Sequence, residues 1–201
     1  MPKGGVFGYA AIQARVRAMY STLLSPQEWT GLCDVTDLSA LIAVLKETTY
    51  GPYLAATEGK DLTPRRAIYQ IKQRVADVYT TLIRMSLAHT RPLVTQLYRH
   101  FELDNLKAVL RGIVSGASWD RMRYVLFPLG SITVLPAQVM VEAGSVGAAV
   151  EQSRGTPYYD TLAHAMKRYT AEQSVFPLEV ALDLNYWRQV WRDANQLPSQ
   201  D

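Results

Sequence analysis

Residues 37–54, DLSALIAVLKETTYGPYL, lie without a gap against residues 145–162, SVGAAVEQSRGTPYYDTL. At this offset of 108, Thr48 meets Thr156 and Tyr50 meets Tyr158, while Leu38, Ile42 and Leu54 meet Val146, Val150 and Leu162. Upstream, Leu24-Ser25 meets Ile132-Thr133, and Leu32 meets Met140. Apolar residues recur at intervals of three and four, which is one face of a helix. Internal similarity at a fixed offset changes the fold expectation. It predicts an all-α chain of two copies of one helical unit, residues 1–104 and 105–201. Identities are few, and two unrelated amphipathic helix pairs would also align this way, so both readings stay open on the residues alone.

The remaining sequence reads the same way. Tyr9, Ile12, Val16, Met19 and Leu23 form a helical stripe with Arg15 and Arg17 on either side of it. In LSPQEW, residues 24–29, Ser25 is an N-cap, Pro26 suits the first helical position and Glu28 completes a capping box. A further helix starts at Thr36 or Asp37. Gly59 to Thr63 is a loop, and Thr63-Pro64 opens a long helix to about Met85 with Ile68, Ile71, Val75, Val78 and Leu82 in 3-4 spacing. Pro92 opens a helix through Phe101. Asp104 or Asn105 caps the next, which Gly112 ends. The strand-like pieces, 125–126 and 132–135, are too short for a sheet.

The chain has 201 residues, 48% hydrophobic and 19% charged, which suits globular packing rather than disorder. One cysteine, Cys33, allows no intrachain disulfide and fits a reducing compartment. MPKGGVFGYA lacks the apolar core of a signal peptide. The uncharged run YVLFPLGSITVLPAQVMV, residues 124–141, is interrupted by Pro128, Gly130 and Pro136. It reads as a buried turn and a short core helix rather than a membrane span. Charge is uneven: residues 62–123 hold 11 Lys/Arg against 4 Asp/Glu, while both flanks are net acidic. A basic middle around Arg65, Arg66, Lys72 and Arg74 suits an acidic partner surface or anionic headgroups, or is a set of solvated helix faces.

No phosphate-cradling GxxxxGK[ST], GxGxxG or GxSxG element occurs. His89, His100 and His164 lack metal-ligand spacing, and one cysteine completes no zinc site. No catalytic residue, cofactor or metal is therefore expected. A pI near 9 comes without a recognition helix or an aromatic–basic interleave, so nucleic acid is not an expected partner.

Taken in order, YAAIQARVRAM with LLSPQEW, DLSALIAVLKETTYGPYL, FELDNLKAVLRG, FPLG, TPYYDTLAHAMKRY and LEVALDLNYWRQVW resemble the C subunit of archaeal-type and bacterial V-type ATPases, whose eukaryotic V-ATPase equivalent is the d subunit. The resemblance covers nearly all of the chain. It implies a non-catalytic funnel of helices in pseudo-threefold repeats. Such a part sits peripherally at the cytoplasmic face of a membrane and couples the central shaft to the rotor ring during proton or sodium transport. The family pattern has a third copy of the unit where this chain has two, which leaves an incomplete funnel as the expectation. The alternative is a generic helical-repeat scaffold for some other protein.

A stiff linkage needs its embedded charges paired, because an unpaired buried charge is costly. Arg15 or Arg17 is therefore expected to bridge to a carboxylate, with Glu47 and Asp183 as candidates, and Arg111 to do the same in the second unit. Tyr50 and Tyr158 in the repeated turns, Asn105 as a cap, Tyr186 in the last segment, and Arg65 and Arg66 complete the candidate contact residues.

Overall fold

The computed structural model describes residues 6–55 and 63–198. Among them are eleven α-helices, one 3-10 turn at Gly130–Ile132 and no strand, as the helical periodicity predicts. Most of the loop expected at 59–63 lies outside the described residues. The chain divides into two compact units, Met1–Leu87 and Ala88–Asp201.

The first unit contains α1 (Val6–Tyr20), α2 (Pro26–Cys33), α3 (Leu38–Lys46), α4 (Gly51–Leu54) and α5 (Pro64–Met85). Its helix starts follow from local chemistry. The Ser25 hydroxyl accepts from Glu28 N, and the Glu28 carboxylate accepts from Ser25 N at 2.6 Å, closing the capping box. Those contacts, the backbone one first, hold the Glu28 carboxyl below its usual range. Asp37 and Thr63 cap α3 and α5 through Ala40 N and Arg66 N. The core here is small: Ile42, Leu45, Leu54 and Ala67, with Leu24, Leu32, Leu38, Leu41, Tyr50 and Ile71 around it.

The expected stripes of α1 and α5 are only partly inward. Val16 and Leu23 are exposed, as are Ile68 and Val75, and the residues α5 buries are Ala67 and Ala76. Small residues allow close approach at the seam, so the large apolar ones are left beside it.

The second unit contains α6 (Arg91–Val114), α7 (Trp119–Met122), α8 (Ala137–Glu142), α9 (Val146–Gln152), α10 (Tyr159–Glu172) and α11 (Phe176–Asn195). Here α6 corrects the sequence reading. The two helices expected over 92–101 and 105–112 are one, and residues 104 and 105 lie inside it. Asp104 and Asn105 are good caps locally, but Tyr98, Leu103, Leu106, Val109 and Leu110 give one continuous buried face, and tertiary packing overrides the cap preference. Gly112 is likewise interior. A Cβ there would come within 2.7 Å of Met122 Sδ, so the glycine lets α6 approach the α7 segment closely.

The run at 124–141 is a turn that buries Leu126, Pro128, Leu129 and Leu135 but exposes Val125 and residues 130, 131, 133 and 134, followed by the short helix α8, which buries Met140 and Val141; the strand-like piece at 132–135 is not a strand. Two polar side chains of α6 hold this turn. Asn105 makes a reciprocal pair with Phe127, accepting from its N–H at 2.6 Å and donating to its carbonyl at 2.8 Å. Glu102 is 1% exposed. Its Oε1 accepts from the Thr133 hydroxyl at 2.7 Å and from Val134 N and Leu135 N at 2.6 and 3.1 Å. Its Oε2 accepts from the Tyr158 hydroxyl at 2.7 Å.

The local structure at the two matched segments is alike. Asp37 caps α3 through Ala40 N, and Ser145 caps α9 through Ala148 N. The Thr48 hydroxyl donates to Leu45 O and accepts from Tyr50 N; Thr156 does the same with Ser153 O and Tyr158 N. Leu54 and Leu162 are both fully buried. The next position differs: a Cβ on Gly51 would lie 2.2 Å from Lys46 O, whereas residue 159 is a tyrosine.

Replacing Glu102 by alanine leaves four donors without their acceptor. Urea unfolding of Glu102→Ala is expected to show a loss of about 4 kcal/mol, since each abandoned buried donor costs roughly 1–3 kcal/mol before relaxation. A loss under about 1 kcal/mol would contradict the role given to this carboxylate.

Candidate functional site

Among the described residues, no group of three or more His, Cys, Asp or Glu could hold a metal ion. What the second unit builds is a charged seam between α6 and α11. Lys107 Nζ meets Asp183 Oδ1 at 2.5 Å. One turn further along α6 and one turn back along α11, Arg111 grips Glu179 with two parallel bonds of 2.5 and 2.7 Å. The helices therefore run antiparallel here. Leu178 and Leu182 of α11 lie in the same core as Leu103, Leu106 and Leu110 of α6. His100 stacks obliquely on Tyr186 at 5.4 Å. The bidentate contact, ahead of the charge of Glu179, raises the Arg111 pKa above its usual value.

Arg111 thus does what the sequence suggests for it, with Glu179 as its partner. Asp183 is a seam carboxylate, but its partner is Lys107. Arg15 and Arg17 do not behave as expected. Both are exposed on α1, and neither makes an ion pair among the described residues. With the outer face of α1 uncovered, their heads are solvated and need no partner. Glu47 is exposed at the C-cap of α3.

The arginine that ties the first unit together is Arg74. It bonds Thr49 Oγ1, Thr22 O at 2.8 Å and Thr22 Oγ1 at 2.7 Å, and it lies over the Tyr50 ring at 4.3 Å. It joins α5 to the end of α1 and to the Thr–Tyr turn. Its position halfway along an amphipathic helix hid this role, because the partners are backbone and hydroxyl oxygens with no sequence signature. Nearby, the Tyr53 hydroxyl donates to Asp77 at 2.8 Å. Burial, then that contact, pushes the Tyr53 pKa up to about 12.

Tyr50 is half-buried and Tyr158 buried. Burial, then the charge of Glu102, pushes the Tyr158 phenol strongly up, so it stays a donor. Asn105 is a clamp rather than a cap. Tyr186 is buried against His100. Arg65 is exposed and Arg66 half-buried near the start of α5. Sequence reasoning missed Glu102, although its spacing from Tyr98, Asn105 and Val109 places it on the buried face.

Beyond the seam, α6 and α11 part to leave a cleft of about 630 Å³ between their other ends. Along α11 the large apolar side chains Phe176, Leu184, Trp187 and Trp191 are exposed. They fall on neighbouring helix positions and form a strip of the kind that marks association.

Residues 12–201 match the family described as the ATP synthase (C/AC39) subunit. The chain is 25% identical over 178 residues to the A-type ATP synthase C subunit of Methanocaldococcus jannaschii, covering 89% of this chain and 45% of that one. It is 28% identical over 184 residues to the protein of that name in Haloquadratum walsbyi, covering 90% and 53%. With the V-type ATP synthase C subunit of Deinococcus radiodurans the identity is 25% over 192 residues, covering 93% and 54%. The chain spans about half the length of these relatives.

The ion pairs rank by exposure. Lys107→Met is expected to cost about 1–2 kcal/mol in urea unfolding and Arg111→Met roughly 0.5, because the Arg111 side chain is 63% exposed and solvent screens it. Arg15→Ala and Arg17→Ala are expected to stay within about 0.5 kcal/mol of wild type. A larger loss in either would restore a structural role for that residue.

The Tyr53–Asp77 bond makes a pH-dependent prediction. The raised pKa means that its stabilisation is complete below the ordinary value of 10.0 and is lost as pH rises through about 12. Tyr53→Phe should therefore melt below wild type at pH 8, with the gap closing between pH 10 and 12. A gap that does not change with pH would remove the assignment.

Proposed function

Because the chain belongs to the ATP synthase (C/AC39) subunit family, we propose that it is a non-catalytic linkage in an A/V-type rotary ATPase. It couples the central shaft to the membrane rotor ring while protons or sodium ions cross, and sits peripherally on the cytoplasmic side. The observation that carries this reading is the family match along residues 12–201. The physics of the second unit agrees with it. A linkage must resist deformation, and a dense core crossed by bonded polar side chains is stiff. A linkage also needs surfaces for partners, and the strip Phe176, Leu184, Trp187 and Trp191 supplies one. No helix among the described residues is long and apolar enough to cross a membrane, which is compatible with peripheral attachment.

The same proposal includes two copies of one helical unit, supported by the recurrence of capped helix, Thr–Tyr turn and buried leucine 108 residues apart. It also assigns Arg65 and Arg66 to the contact with an acidic partner or with anionic headgroups.

Mixing the full chain with detergent-solubilised rotor ring and with the shaft proteins tests the reading. Stoichiometric co-migration with the ring and the shaft is expected. Arg65→Glu with Arg66→Glu should weaken it about tenfold at low salt and less at high salt. A chain that binds neither assembly, yet captures an unrelated helical partner, would be a generic scaffold instead.

A further inference from the structure

Helix α11 has two apolar faces, and the core of the second unit takes one of them. Leu178, Leu182 and Tyr186 are buried in that core. On the opposite side Val180, Leu184, Trp187, Trp191 and Ala194 recur at spacings of four, three, four and three. This is the a/d repeat of two helices packed side by side, with Leu184 and Trp191 at a and Val180, Trp187 and Ala194 at d. No charge interrupts it. Trp187 and Trp191 are 60% and 71% exposed. Val180 and Ala194 are half-buried. The strip is about 20 Å long at 1.5 Å per residue.

The charges beside the strip complement each other across a symmetric pair. Asp183 falls at g and Arg188 at e, on opposite borders and five residues apart. In a parallel pair each g position faces the e position five residues further along the other helix. Asp183 of each copy therefore meets Arg188 of the other, twice by the two-fold axis. In an antiparallel pair g faces g and e faces e, and the opposite charges do not meet. Both groups can take the contact. Asp183 bonds Lys107 through Oδ1, yet its side chain is 44% exposed. Arg188 is exposed and makes no ion pair among the described residues.

The area is that of a weak dimer. Aromatic side chains offer about 150–250 Å² each, so with Leu184 and the edge residue Phe176 the strip leaves roughly 500 Å² open per copy. Covering it in both copies removes roughly 1,000 Å², the lower end for a specific interface.

We propose that two copies of this chain associate by parallel packing of α11 on α11. Trp187 and Trp191 fill the centre, and the Asp183–Arg188 contacts fix the direction. The inference rests on this face of α11 and not on the rotary reading, and it is measured on the chain alone, so it fails independently of the co-migration experiment. The strip cannot hold a second copy and another partner at once, so a partner that uses it would dissociate the pair.

Sedimentation velocity of the full chain between about 1 and 200 µM tests this. A monomer–dimer equilibrium with a midpoint of roughly tens of micromolar is expected. Trp187→Glu with Trp191→Glu should leave a monomer throughout, and Arg188→Glu should weaken the dimer about tenfold. Trp29→Gln removes an exposed tryptophan of the first unit and should stay within twofold. Circular dichroism establishes that each variant is folded; should the double variant unfold, Arg188→Glu carries the test alone. Direction is read from Ala194→Cys with Cys33→Ser, treated with a short bismaleimide. A covalent dimer is expected, because d positions face each other in the parallel pair, whereas an antiparallel pair would hold them roughly 25 Å apart. A monomer at every concentration, a dimer that the strip variants leave intact, or a dimer that does not cross-link at residue 194 would each overturn the proposal.

Discussion

The second unit depends on one buried carboxylate. Glu102 brings together three pieces of chain that have no reason to meet through apolar contact alone: α6, the turn after Phe127, and the turn that starts α10. An ionised group at 1% exposure is normally a liability. Here four donors converge on it, two of them backbone N–H groups of a loop that forms no regular structure. The loop needs the carboxylate as much as the carboxylate needs the loop, because buried backbone donors must also be paired. Asn105 repeats the device one turn along α6, taking both backbone groups of Phe127. Together they pin an uncharged, proline-interrupted stretch that hydrophobicity would have drawn into many arrangements. Polar contacts of fixed geometry select one arrangement, and apolar packing then fills it.

The sequence revealed the parts of the fold that local chemistry controls. Ser25 with Glu28, Asp37 and Thr63 start helices where a side-chain oxygen can reach an orphan N–H, and each does so in the structure. The misreading at residues 101–105 has the same origin. Asp104-Asn105 carries a strong local preference for a cap, yet Tyr98, Leu103, Leu106 and Val109 keep one face buried straight through it. Summed burial exceeds the roughly 1 kcal/mol that a cap contributes. The arginines show the limit from the other side. Arg74 and Arg17 both sit on amphipathic helices, and only tertiary placement decides that Arg74 reaches Thr22, Thr49 and Tyr50 while Arg17 reaches water. For Arg111 the sequence offers the pairing only by analogy with the arginines of the first unit, and its partner, Glu179, is set by the packing of α11 on α6.

The two units use unequal means. Among the described residues, the first has a core cluster of four buried residues with half-buried neighbours, and large apolar side chains of α1 and α5 lie exposed. The second has a core several times larger and adds the Lys107 and Arg111 pairs along its flank. Local opening follows the density of buried contacts, so the first unit is the more compliant one.

The seam and the cleft are two ends of one design. Where α6 and α11 touch, carboxylates of α11 neutralise the basic side of α6, and the pair behaves as a single stiff element. Along the cleft the pattern changes: Asp193 of α11 lies beside Arg192 of its own helix at 3.8 Å, not against a basic residue of α6. Among the described residues, paired charges across the two helices are therefore confined to the seam, where Lys107 and Arg111 meet Asp183 and Glu179.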